Sequence, residues 1–479
     1  MVAVAVQDRP PAGLTPDRRA EQTVDRALAA IGDWLMRHQR AIRAAQWAVV
    51  GVYVALLAVP AALPLPERTA HIWTNVVLFA QFVFWGIWWP FVLVSMVLVG
   101  RLWCGVLCPE GALAEAASRR GLGRAVPRWI AWKGWPFVAF ACTTIYGQMV
   151  SVYQYALPAL LVLGGSTVAA VIVGFLFGRG KRVWCRYLCP VNGVFSLLSK
   201  LAPVHFRVDT GAWAAWPKAP GAQPKVDCAP LVPIRTMKGA SACHMCGRCS
   251  GYKGAITLSR RSPMHEIVHV AGLEAKPWET VLIVVGLMGI ACGAFHWSAS
   301  AIYVDVKQFF AEQLIGLGFV WPLEATMPWW ILTDYPDQND VMTVLDGAVL
   351  VGFILGTAAL VALGVGAALA LATRLTGRWS WARFHHLAQG LIPIAAAGVF
   401  LGLSALTVTM LRAEGFELDF VSPLRAALLV GAGLWSLAFG WRIAGLAPVG
   451  LPSRLAATVA FSGAVAIGVA SWALLFWTF

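Results

Sequence analysis

Nine apolar runs, at about 44–65, 71–100, 135–156, 157–178, 279–297, 345–373, 386–411, 425–441 and 455–478, constrain this chain more than any other feature. Each is near or above the ~20 residues that a helix needs to cross a ~30 Å hydrocarbon core. Composition agrees. Apolar residues make up 59% of the 479 and charged residues only 13%, the latter about half the usual soluble share. A soluble enzyme, a disordered chain and a disulfide-stapled secreted domain are excluded. The expected fold class is an all-α polytopic membrane protein with about nine transmembrane helices. The Pro- and Gly-rich stretch 135–178 leaves one pair of boundaries open.

The charges assign the two faces. With the N-terminus inside, all but four of the 37 Lys and Arg fall in inner segments, the exceptions being Arg68, Lys307, Arg412 and Arg425. Nine spans and the positive-inside rule then agree at every loop. The net charge of +14 is thus a topology signal and a match to anionic lipid, and poor evidence for nucleic acid. The expected location is the bacterial inner membrane, with the N-terminus and the cysteine loops cytoplasmic. Residues 1–43 hold seven Arg and no apolar stretch before a cleavage site, so they read as a retained cytoplasmic arm, with a surface helix over Glu21–Arg43, rather than a signal peptide.

The inner loops carry the chemistry. Arg101-Leu-Trp-Cys104-Gly-Val-Leu-Cys108-Pro109 follows the second run, and Arg182-Val-Trp-Cys185-Arg-Tyr-Leu-Cys189-Pro190 follows the fourth, 81 residues later. The shared Trp-Cys-x2-Leu-Cys-Pro makes residues 44–200 a duplicated hairpin-plus-cysteine unit, and repeats commonly put a functional site at their interface. Residues 201–278 form an expected small cytoplasmic ferredoxin-like segment containing Cys228 and Cys243-His-Met-Cys246-Gly-Arg-Cys249. Residues 279–479 are expected to add a five-helix transmembrane domain with a periplasmic loop, 298–344.

Cys142 and Cys292 lie within apolar runs and read as small buried hydrophobes. The other eight cysteines sit on a reducing face, where metal binding is a better expectation than disulfides. Cys-x2-Cys-x2-Cys and Cys-x3-Cys-Pro are the two halves of the bacterial ferredoxin run for [4Fe–4S] clusters. Here Cys243, Cys246 and Cys249 supply the front half, and the two membrane-edge loops supply the back half twice. Two-residue gaps let a tight loop wrap one cube, while the proline after the last ligand removes a competing N–H. A zinc site of Cys228, Cys243, Cys246 and Cys249, or one using His244, is the alternative for the cytoplasmic set.

At these residues the chain resembles the membrane polyferredoxins, the integral-membrane iron–sulfur proteins of the NapH, NosR and CcoG types. These are associated with periplasmic nitrate reductase, nitrous-oxide reductase maturation and cytochrome oxidase assembly. The resemblance covers about residues 44–260 and rests on Trp103–Pro109, Trp184–Pro190 and Cys243–Cys249. It implies two [4Fe–4S] clusters at the cytoplasmic membrane edge, relaying electrons between a quinone or cytoplasmic pool and a periplasmic or membrane partner. Cys104, Cys108, Cys185 and Cys189 are then expected to hold one cluster, and Cys228, Cys243, Cys246 and Cys249 the other. A crossed pairing stays open, because Cys249 is followed by Ser250-Gly-Tyr-Lys and not by a Cys-Pro. No flavin-binding domain precedes the first run, which sets the chain apart from the nitrous-oxide type. With five further spans, the layout looks most like the FtrD-like polyferredoxin of bacterial ferrous-iron uptake systems.

The C-terminal half gives fewer clues. His71 and His296 form a candidate outer-face haem pair, with interfacial histidines as the plainer reading; His385 and His386 sit at an inner span end. Loop 298–344 holds Asp305, Glu312, Glu324, Asp334, Asp337 and Asp340 against Lys307, with Trp321, Trp329 and Trp330. This pattern suits a docking patch for a basic redox partner or an ordinary aromatic belt. Inner-face clusters do not reach across ~30 Å of hydrocarbon, so a haem, quinone or partner must complete the route. An assembly factor reducing a metal for a respiratory enzyme, and a metal transporter with a cysteine sensing domain, are the rival functions. Against the transporter, no run carries a mid-membrane ionisable residue apart from Lys133 at an edge. No motif names a small-molecule substrate, and the chain reads as an electron carrier or oxidoreductase subunit rather than a stand-alone enzyme.

Overall fold

The computed structural model describes residues 16–67, 69–216, 226 and 228–477. The first part of the N-terminal arm, Arg68 and the C-terminal Phe479 lie outside the described residues. Helix α1 (Pro16–Arg37) precedes the first span, α2 (Gln39–Ala61), which starts inside the stretch expected to be the arm. The chain continues through α3 (Val76–Val99), the short α4 (Pro109–Arg119), α5 (Trp135–Met149) and α6 (Ala156–Leu176). After the cysteine-bearing segment come α7 (Pro277–Ala299), α8 (Ala301–Gly316), α9 (Val344–Leu375), α10 (Ile392–Ala413), α11 (Val421–Ala444) and α12 (Leu451–Trp477).

The protein is an all-α polytopic membrane protein. Eight helices among the described residues are long and apolar enough to cross a bilayer. The run at 135–156 folds differently from the expected full span. Its helix, α5, has only 15 residues, because the chain turns at Ser151, whose φ is 51°. Even so, α5 joins the two faces. Trp132 and Phe137 near its start pack on Trp278 at the head of α7, and the Met149 carbonyl at its end accepts from Thr333 N–H at 2.9 Å in the long loop at the other end of α7.

Helix α7 is the hub. Of its most apolar stretch 78% is buried, against 17–39% for the other candidate spans. Gly289 and Gly293, one turn apart, let it approach α9 so closely that a Cβ at either would come within 2.9 Å of the Ala358 or Ile354 Cα, the close-packing device of small residues in membrane helices. Helix α3 also departs from regular geometry, with π-helical turns over Phe82–Trp88. Pro90 has no N–H to give the Gly86 carbonyl four residues back, and Thr407 Oγ1 of α10 donates to that carbonyl instead at 2.8 Å. The repeated hairpins are thereby tied to the C-terminal bundle.

On the cysteine face, β1 (Val204–Val208) and β2 (Ile256–Arg260) pair antiparallel, with Phe206 opposite Leu258. Phe206, Met245, Ile256 and Leu258 form a small buried core, and α1 closes over it, its Asp33 accepting from Ser250 Oγ at 2.8 Å. On the far face the acidic loop is partly spent on itself. Asp346 caps α9 with Thr343 and pairs with Lys307, and Asp340 accepts from Tyr155 Oη at 2.7 Å.

This arrangement predicts that cysteines introduced at Gln308 and at Arg207 report opposite sides. With the faces as the basic residues lead one to expect, an impermeant maleimide should label the first in intact cells and the second only after the cells are opened. Labelling of both from one side would contradict it.

Candidate metal centre

The two repeated loops fold alike. Each begins with a single helical turn, Leu102–Val106 or Val183–Tyr187, with the first cysteine inside it. Each then closes by the same bond, Cys108 N–H to the Trp103 carbonyl at 2.8 Å and Cys189 N–H to the Trp184 carbonyl at 3.0 Å. The second cysteine sits at or just before the next helix. Cys108 is the N-cap of α4, with its Sγ accepting from Gly111 N–H at 3.4 Å and Pro109 at the first helical position, where no partner for an N–H is needed. A sulfur at a helix N-terminus is placed where negative charge is favoured.

All four of these thiols, Cys104, Cys108, Cys185 and Cys189, line one cavity of about 230 Å³. Its membrane-side wall is aromatic, built from Phe84, Trp85, Trp88, Trp89 and Tyr153, and Glu110 and Asn192 supply polar groups. Cys228, Cys243, Cys246 and Cys249 line a second cavity of about 20 Å³ with His244 and Arg248. The loop that carries them is tightly wound, with Met245 at φ 52° and Gly247 at φ 75°, and Cys243 Sγ accepts from Met245 N–H at 3.3 Å.

Electrostatics follow the same partition. Burial, aided by Cys185 and Cys104, holds the Cys108 thiol well above its ordinary value. Burial likewise takes Cys185 up to about 12, with Cys104 and Glu110 adding to the rise against the pull of Arg182. In the other set, burial and then Cys246 push Cys243 to about 12, and burial with Cys243, Cys246 and Cys228 raises Cys249. Four neighbouring thiols of this kind ionise together only when a cation takes up their charge, so the chemistry of both donor sets suits a thiolate-bound metal centre, an iron–sulfur cube included. The first cavity has open volume for one, whereas the second loop must part to admit one. Among the described residues no three or more such side chains converge as ligands of a single ion.

The two sets abut. A Cβ on Gly105 would lie 2.0 Å from the His244 carbonyl oxygen and 2.9 Å from Cys246 N, so only glycine lets the first loop lie on the triplet loop. Arg186 occupies the same position in the second repeat. Glu115 of α4, 4% exposed, takes Arg182 Nε at 2.8 Å and Arg248 Nη2 at 2.8 Å. Burial raises the Glu115 pKa, but Arg182 and Arg248 outweigh it and hold the group at about 2.

Sequence reasoning picked out the eight loop cysteines and missed this charged layer. The signal was present, since an arginine stands three residues before the first cysteine in both repeats. The proposed haem pair is not brought together. Both ring nitrogens of His296 lie against carbonyls, of Cys292 at 2.6 Å and Ser471 at 2.7 Å, while the exposed His71 pairs with Glu414 at 3.2 Å. His385 and His386 contact Thr280 Oγ1 and the Ile267 carbonyl. Cys142 is exposed on its helix, and Cys292 is buried.

A 4Fe-4S binding domain family matches residues 81–131 and again 160–209, once over each repeated cysteine loop. With the membrane fold, this supports an iron–sulfur cluster in a membrane protein. Among curated proteins, the chain is similar to "Putative electron transport protein YccM" of Escherichia coli (strain K12), 24% identical over 229 residues, covering 42% of this chain and 62% of that protein. The match thus spans less than two thirds of the relative's length. No solved structure matches the chain significantly.

Replacing Glu115 by Ala leaves the buried Arg182 without its counter-charge. The expected loss is about 3–5 kcal/mol, read as a lower unfolding midpoint in detergent. Because Glu115 titrates lower folded than unfolded, its contribution is complete above pH 4.5 and is lost as pH falls toward 2. The difference between wild type and Glu115→Ala should shrink over that window.

Proposed function

We propose that the protein is an electron carrier of the bacterial inner membrane that holds two [4Fe–4S] clusters on its cytoplasmic face. Cys104, Cys108, Cys185 and Cys189 hold the first between the repeated hairpins, and Cys228, Cys243, Cys246 and Cys249 hold the second. One observation carries the reading. Eight loop thiols fall into two foursomes that line two separate cavities, which favours the uncrossed pairing. Such a cluster exchanges one electron at a potential set by charge, hydrogen bonds and solvent.

The chain's residues supply those settings. The aromatic wall of Trp85, Trp88 and Trp89 keeps water from the membrane side of the first foursome and offers a flat apolar surface to a quinone ring. The Gly105 contact holds the two foursomes next to each other. The acidic far-face loop 298–344 suits a basic redox partner, and the partner or quinone completes the route across the bilayer. The five helices after the cysteine segment favour a setting in ferrous-iron uptake.

Anaerobic purification should return about eight iron and eight acid-labile sulfide per chain, from two cubes of four. Stoichiometric zinc without sulfide would refute the proposal. In low-temperature EPR, Cys108→Ser and Cys189→Ser should each remove one and the same signal, and Cys246→Ser the other. Removal of the Cys246-dependent signal by Cys108→Ser or Cys189→Ser, with Cys228→Ser leaving both signals intact, would establish the crossed pairing.

A further inference from the structure

Arg101 and Arg182 occupy the same place in the two repeats, and each reaches away from its own. Arg101 donates from Nη2 to Asn192 Oδ1 in the second repeat at 2.7 Å, and from Nη1 to the Ser241 carbonyl, two residues before Cys243, at 3.1 Å. Arg182 donates from Nη1 to the Cys104 carbonyl in the first repeat at 2.6 Å. Through Glu115 it also joins Arg248, the neighbour of Cys249. Each guanidinium therefore touches the opposite repeat and, directly or through one carboxylate, the triplet loop.

Both are enclosed, Arg101 at 3% exposure and Arg182 at 1%, where a guanidinium never loses its proton. Arg101 Nε and Arg182 Nη2 are buried and have no hydrogen-bond acceptor among the described residues. A buried N–H left unmet is costly, and nothing in the packing is gained by it. Arg101 lines the first cavity together with its four thiols, and a Cβ built on Gly111 would meet both Arg182 Nη1, at 3.1 Å, and Cys108 Sγ, at 3.5 Å. On the other side, the Arg101 bond to Ser241 and the Glu115 link to Arg248 bring both charges to the loop of Cys243, Cys246 and Cys249. Arg119, Arg182 and Arg248 converge on Glu115, Arg101 stands apart from it, and Glu110 is a second carboxylate beside the first foursome, so guanidiniums outnumber carboxylates around the thiols.

We infer that Arg101 and Arg182 are a shared counter-charge for both foursomes, a positioning pair whose free N–H groups donate to cluster sulfur and whose charge raises both reduction potentials together. The inference rests on the assignment of the two foursomes to clusters. When one cluster passes an electron to the other, the donor is oxidised by one unit and the acceptor reduced by one. No proton moves and no bond forms or breaks. Negative charge shifts from one side of the arginine pair to the other, so the pair attracts it in both positions.

The test compares anaerobically purified wild type, Arg101→Gln, Arg182→Gln, Arg101→Lys and Arg182→Lys. Iron and acid-labile sulfide are quantified first, and midpoint potentials are then read by EPR during redox titration. Both signals should move to more negative potential in each Gln variant at unchanged iron content, and return toward wild type in the Lys variants. Loaded Gln variants in which neither signal moves, or only one, would overturn the inference, as would Lys variants that fail to restore the potentials. If the Gln variants do not load iron, the Lys variants decide. Loading with wild-type potentials supports a role for charge, whereas failure to load, or loading with shifted potentials, refutes it. A wild type without acid-labile sulfide removes the cluster assignment itself, and this is seen before any variant is compared.

Discussion

The cysteine face depends on a positive charge buried where water does not reach. Arg182, held by Glu115 and by the Cys104 carbonyl, links the second repeat to the first, and Glu115 extends the link to Arg248 beside Cys249. Removing a guanidinium from water costs several kcal/mol unless its partners are well placed. Here they come from Cys104 and Glu115 of the first repeat, and Glu115 is shared with Arg248 of the triplet loop. The same contacts that hold the arginine therefore fix the relative positions of both hairpins and the triplet loop. Helix packing alone, which slides readily between apolar surfaces, supplies no such registration.

Much of this was legible in the sequence because it is written in local patterns. The apolar runs gave the spans, and the 81-residue repeat gave two loops of the same shape. The grouping of Cys228 with Cys243, Cys246 and Cys249 followed from the low entropic cost of a short closure. What stayed hidden depends on contacts between distant segments. The run at 135–156 has the apolar content of a span, and only the turn at Ser151, locked against Thr333, shortens its helix. Gly105, where the second repeat has Arg186, carries no local signal of its role; its reason is the backbone of His244 and Cys246 lying against it. For His296 the sequence left a haem candidate beside the plainer interfacial reading, and the choice turns on carbonyls of two helices that lie against its ring.

The acidic loop shows the same divide. Its charge was read as a surface property, but Asp340 is engaged by Tyr155, and its lone Lys307 pairs with Asp346 in the first turn of α9. Composition counts carboxylates without saying which ones fold the loop. Those remaining at its exposed edge are the ones available to a partner.

The two foursomes also differ in how many pieces of chain they need. One is complete within residues 228–249. The other takes two thiols from each of two hairpins, so it does not exist until α3 and α6 have both entered the bilayer and α4 has met Arg182. The two groups of thiols therefore differ in what disturbs them. A change that parts the two hairpins would break up the membrane-edge group and leave the thiols of 228–249 on their own loop.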